Sequence, residues 1–164
     1  MDLNSLNIKT SIYNKIGLQL SNVVTSIESE EYQGYTFTLN GCNIISRKAK
    51  ITPKKAGQFV TFWKRNENKI IEPFNESDLI DFYVVNVEFE NKSGQFVFPK
   101  SELISKGIIS TLKKEGKRAF RVYPKWDTTI SKQAIKTQKW QLKYFFEINN
   151  LTNLDEVYTL YKPK

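Results

Sequence analysis

Residues 35–51, YTFTLNGCNIISRKAKI, alternate apolar and polar side chains on both sides of Asn40-Gly41. A period of two places every second side chain on one face of a strand. Asn-Gly suits a two-residue hairpin because both central residues of that turn need positive φ. The stretch predicts an antiparallel hairpin with one buried face, and the rest of the chain must pack around it.

The flanking segments read mostly as further strands. GQFVTFWKR (57–65), IDFYVVNVEFE (80–90), GQFVFPK (94–100) and KRAFRVYP (117–124) are rich in Phe, Val and Tyr, with a turn over Asn91–Gly94. Leu3, Leu6, Ile8, Ile12 and Ile16 space an opening helix that Gly17 stops. LQLSNVVTSI (18–27) fits strand or helix. SELISKG (101–107) predicts a short helix capped by Ser101 and ended by Gly107. Residues 128–146 form the longest helical pattern, with Ala134, Ile135, Leu142 and Phe145 on a buried face. A short helix over 151–162 packs through Leu151, Leu154, Val157 and Tyr161.

The chain has 164 residues, the size of one domain with a real core. The element order predicts an α/β (α+β) fold, a mixed central sheet of about five or six strands flanked by helices. The alternating pattern of a doubly wound parallel sheet is absent, and a closed all-β barrel with peripheral helices is the alternative. No apolar stretch approaches the roughly 20 residues that span a bilayer. The N-terminus shows no basic region followed by an apolar segment and cleavage site. A single cysteine, Cys42, fits a reducing compartment. A cytoplasmic protein with no membrane insertion is expected.

The sequence has no histidine. That excludes Ser-His-Asp and Cys-His catalysis and an imidazole general base. With one cysteine it also leaves no structural zinc site, so no metal or other cofactor is expected. Any chemistry would rest on carboxylates and lysine with Mg²⁺.

The formal charge is +8, which points to an anionic partner. Arg47, Lys48, Lys50, Lys54, Lys55, Lys64 and Arg65 occupy residues 47–65 with no acid among them. Residues 66–90 hold seven acids against Lys69. Residues 113–143 return to ten cations against Glu115 and Asp127. Within that second block Lys132, Lys136, Lys139 and Lys143 fall on one helical stripe, and Arg121, Lys125 and Trp126 surround a proline-stiffened turn. Charge runs also arise as solvated faces. Taken as a binding surface, these fourteen residues predict one basic, concave face for a nucleic-acid backbone.

Metal-dependent cleavage requires the magnesium-nuclease pattern, an acid followed by (Asp/Glu)-x-Lys. Its bare matches fall in turns, at Glu67-Asn68-Lys69, Glu90-Asn91-Lys92 and Glu115-Gly116-Lys117. At the end of the second hairpin strand, Lys48-Ala49-Lys50 has the lysine but a cation where the acid belongs. Glu31, Asp78 or Asp81 would have to supply carboxylates around Lys50.

The blocks TFTLNG, AKITPKKAGQFVTFWKR, DFYVVNV, GQFVFPKS, KGIIS, KEGKRAFRVYP followed after one residue by WD, and SKQAIKTQKWQ resemble, in order and spacing, the MepB-like bacterial proteins. The match runs from about 31 to 146, and the family takes its name from a member encoded with a multidrug efflux pump and its regulator. The resemblance implies a restriction-endonuclease-like fold, a cytosolic location and a nucleic-acid-binding role, with an acid in some members at the position of Lys48. The expectation is a nucleic-acid-binding protein with a degenerate catalytic motif. An active Mg²⁺ nuclease with a migrated acid, or a module docking an acidic protein, are the alternatives.

Overall fold

In a computed structural model the backbone is described for residues 3–163 and the side chains for residues 9–163. The side chains of Leu3, Leu6 and Ile8, expected on the buried face of the first helix, lie outside the described residues.

Helix α1 (Leu3–Lys15) ends before Gly17, whose φ of 76° only glycine adopts without strain. The ambiguous stretch resolves as strand β1 (Leu20–Thr25), and a 3₁₀ segment (Ile27–Tyr32) leads into the hairpin. Strands β2 (Tyr35–Leu39) and β3 (Cys42–Lys48) pair antiparallel around Asn40 and Gly41, with φ of 50° and 84°. Strands β4 (Lys50–Ile51), β5 (Gln58–Thr61), β6 (Lys64–Arg65) and β7 (Ile71–Glu72) follow. Next come β8 (Phe82–Phe89), β9 (Lys92–Pro99), helix α2 (Lys100–Ser105) and β10 (Ala119–Val122). Helix α3 (Lys132–Gln141), a 3₁₀ turn (Leu142–Tyr144), β11 (Phe145–Glu147) and α4 (Leu154–Leu160) complete the chain.

The central sheet has six strands in the order β1-β2-β3-β8-β9-β11. Only β3 and β8 run parallel, so the sheet is mixed. Because β8 is covered on both faces, it reads as an almost unbroken apolar run. Phe82 and Val84 pack towards α1 and α4 with Tyr13, Val157 and Tyr161. Tyr83, Val85 and Val87 face a second core with Val60, Phe62, Leu103 and Val122. That second core is roofed by a three-stranded sheet, β10-β5-β4.

Five details differ from the sequence reading: Leu151, expected to pack inward, is 90% exposed and precedes α4, and four more concern strands and caps. GQFVTFWKR breaks after Thr61, where Arg47 and Tyr83 claim the Thr61 carbonyl and Phe62 inserts between Phe74 and Tyr83. Gly94 is inside β9, not a turn. A Cβ there would lie 2.5 Å from the Phe145 ring, which packs on the bare glycine. Phe145 and Phe146 leave the helical pattern to pair with β9, and Ile135 is 49% exposed. Pro99, not Ser101, precedes α2 as its cap, and Gly107 ends the turn as expected with φ 71°.

Candidate nucleic-acid interface

The cations of residues 47–65 split into two groups. Arg47 is buried, donating from Nη1 to the Thr61 carbonyl at 3.0 Å and from Nη2 to the Trp63 carbonyl at 3.3 Å. Burial lowers its pKa, but arginine stays charged because its ordinary value is so high. Its place is under the surface, holding the bend between β5 and β6. Lys48 pairs with Glu88 of β8 at 2.9 Å, and Lys50 with Glu31 at 2.8 Å. Lys64 meets Asp78 at 2.7 Å and Glu72 at 3.6 Å, and Arg65 pairs with Glu28. Burial pulls the Lys64 pKa down, but Asp78 and Glu72 outweigh it and hold the ammonium above its usual range. Only Lys54 and Lys55 of this block are exposed and without an ion-pair partner among the described residues.

The second block is different. Ser131 caps α3 by accepting from the Ala134 amide at 3.1 Å. The helix docks mainly through polar groups: Gln141, fully buried, accepts from the Tyr123 amide and donates to the Arg121 carbonyl, each at 2.9 Å. Gln138 donates to the carbonyls of Pro124 and Asp127, each at 3.0 Å. With Ala134 these glutamines define the inward face. At the helical 3.6 residues per turn, Lys132, Lys136 and Lys139 centre about 160° away from it, and Lys143 continues the line. All four are exposed, and none forms an ion pair among the described residues. Lys125 is likewise exposed and unpaired.

Loop 52–57, which carries Lys54 and Lys55, is anchored to the strand and turn that receive α3. Arg121 donates from Nε to the Ala56 carbonyl at 3.1 Å and from Nη2 to the Thr52 hydroxyl and the Gly57 carbonyl at 2.7 and 3.2 Å. Asp127 accepts from the Gly57 amide, and burial, outweighing that bond and the nearby Arg121 and Lys92, raises its pKa. A cation and an anion thus grip opposite ends of one loop's peptide groups. Trp126 points the other way. It packs edge-on against Phe145, with centroids 5.8 Å apart and Nε1 buried without an acceptor among the described residues, and its ring is partly buried against the second core.

The candidate acids around Lys50 do not converge. Glu31 touches Lys50, but Asp81 accepts from the Asn43 amide at 2.7 Å, beside the start of β3. Asp78 accepts from the Asn75 amide at 2.7 Å. Lys50 lies past the far end of β3, seven residues beyond Asn43, on the order of 20 Å of extended chain. The described residues contain no group of three acidic or cysteine side chains able to hold a metal. Glu88, which faces Lys48, was not singled out from the sequence, since its position depends on the parallel register of β3 and β8.

The MepB-like family matches residues 26–147. The chain belongs to the MepB-like family. A crystal structure of MepB is similar over 92% of this chain and 99% of that one, with 37% identity and a TM-score of 0.78. A bacterial homing endonuclease aligns over 83% of this chain and 85% of that one at 15% identity and a TM-score of 0.45, a likeness too slight to carry an argument. Among curated proteins nothing matches the sequence. No helix in the described residues of this MepB-like chain is long and apolar enough to cross a membrane.

Proposed function

We propose that this MepB-like protein binds nucleic acid by its backbone, through the outer lysines of α3 and the lysines of loop 52–57. The observation that carries the reading is the contrast in pairing. Lys48, Lys50, Lys64 and Arg65 each meet a carboxylate, whereas Lys54, Lys55, Lys125, Lys132, Lys136, Lys139 and Lys143 meet none among the described residues. A stripe of like charges on one helix face is self-repelling by a few tenths of a kcal/mol per pair. A polyanion relieves that repulsion and releases its own counterions on binding.

Cleavage is not part of the proposal. Mg²⁺ is held by hard oxygen ligands. Here the acid position of the motif is Lys48, and two of the three substitute carboxylates sit at the other end of β3. Should DNA or RNA be cut in Mg²⁺ or Mn²⁺, and the cutting vanish in Lys50→Ala, the protein is a nuclease with Glu31 in its site.

The binding test is charge reversal. Lys54, Lys55, Lys132, Lys136 and Lys139 changed together to Glu should abolish binding of single-stranded DNA and RNA with the circular dichroism spectrum unchanged. Unaltered affinity in that variant removes the proposal. A pull-down that captures an acidic protein, and persists after nuclease treatment, would favour a protein partner instead.

A further inference from the structure

A cavity of about 320 Å³ lies between β10 and the flank of α3. Lys106, Lys117 and Arg121 reach it, and Phe120, Tyr123 and Trp140 help wall it. None of its lining residues is acidic. Arg121 uses Nε and Nη2 on loop 52–57 and leaves Nη1 without an acceptor among the described residues. Lys117 is exposed and has no ion pair among the described residues. Lys106 sits 3.7 Å from Glu102, with its ammonium 5.5 Å from the centre of the Trp140 ring.

Three cations around an aromatic-walled recess favour an anion that carries a flat ring. The volume is at the small end of the roughly 300–1,000 Å³ typical of small-molecule sites, which suits one nucleotide. The site is also pre-shaped, because Gln141 beneath it has both ends of its amide bonded. Thr137 and Trp140, which line the cavity, lie on the flank of α3 and not in the lysine stripe.

We propose that this cavity binds a nucleoside monophosphate unit, with its phosphate among Lys106, Lys117 and Arg121 and its base against Tyr123 and Trp140. A free nucleotide and the 5′-phosphorylated end of a strand present the same chemistry. The strand-end form rests on the nucleic-acid reading above, and the free-nucleotide form does not.

The test is calorimetric titration of the full chain with deoxyadenosine 5′-monophosphate, adenosine and inorganic phosphate. The monophosphate should bind at least about tenfold more tightly than either of the others, the effect of roughly one charge-assisted contact. Lys117→Glu should lower its affinity by about tenfold or more, Lys106→Gln should lower it less, and the five-lysine reversal should leave it unchanged. Equal binding of adenosine or of inorganic phosphate overturns the site, as does an unaffected Lys117→Glu protein. In a second arm, oligodeoxyadenylates with a 5′-phosphate or a 5′-hydroxyl compete for the protein. A preference for the phosphate that disappears in Lys117→Glu supports the strand end. Monophosphate binding with no end preference supports the free nucleotide, and monophosphate binding with no oligonucleotide binding defeats the backbone reading while supporting the cavity.

Discussion

Arg121 of β10 donates to the hydroxyl of Thr52, 2.7 Å away and 69 residues earlier in the chain. That bond and two more from the same guanidinium to Ala56 and Gly57 hold the lysine loop against the strand. Hydrogen bonds from a charged donor contribute about 1.5–3 kcal/mol each, less where solvent competes. Arg121→Ala should therefore cost about 2–3 kcal/mol in urea denaturation, and should speed amide exchange at Gly57 more than in β8. Slow exchange at Gly57 in that variant would mean that the loop is held by something else.

Gly57 is the weak point of the same loop. Its φ is 78°, and a Cβ would lie 2.7 Å from the Tyr123 ring and 2.9 Å from the Val122 carbonyl oxygen. Backbone strain of about 1–3 kcal/mol adds to that clash. Gly57→Ala should unfold at lower denaturant by at least about 2 kcal/mol, whereas Gly41→Ala, which meets only open space, pays the strain alone.

Much of the fold was legible for reasons that these residues make plain. The hairpin followed from period-two patterning joined by Asn40 and Gly41, whose turn geometry is local. IDFYVVNVEFE was legible as a strand from its Phe, Val and Tyr content, but its central place between β3 and β9 was not. What was hidden depends on distant partners. Nothing within GQFVTFWKR shows that Arg47 will take the carbonyls of Thr61 and Trp63 and split the strand. Phe145 and Phe146 continue a helical pattern, yet both pair with β9 as a strand, which buries Phe146 and lays the Phe145 ring on Gly94. The inward face of α3 is glutamine, which hydrophobic periodicity does not detect. At the interface, the sequence showed where the cations are but not which ones carboxylates neutralise. Separating Lys50 from Lys54 requires the fold that brings Glu31 to Lys50.

The buried tyrosines set an alkaline limit. Burial raises the pKa of Tyr13, Tyr83 and Tyr161, and for Tyr161 the neighbouring Tyr13 raises it further. Tyr13 and Tyr161 share a hydrogen bond of 2.9 Å and both bond Gln95. Above the ordinary tyrosine value of about 10 the unfolded chain loses protons that the folded chain keeps, so stability present below that pH falls as pH rises. Denaturant midpoints should decline above about pH 10, and Tyr161→Phe should flatten the decline. A midpoint constant to pH 11 would contradict this.

Cys42 lies at the start of β3, buried and with its thiol pKa raised first by burial and then by Asp81. The thiolate is the reactive form. The native protein should react with a disulfide reagent at pH 8 far more slowly than the urea-unfolded chain. Equal rates would place the thiol at the surface.

The most direct test of backbone binding is the salt dependence of affinity for single-stranded DNA. Each lysine–phosphate contact contributes about 0.7 to the slope of log affinity against log salt. Five contacts predict a slope of about −3.5, reduced by about 0.7 in Lys136→Gln and unchanged in Lys64→Gln, whose ammonium is already held by Asp78. A slope near zero, or one that Lys64→Gln alters and Lys136→Gln does not, would contradict the account.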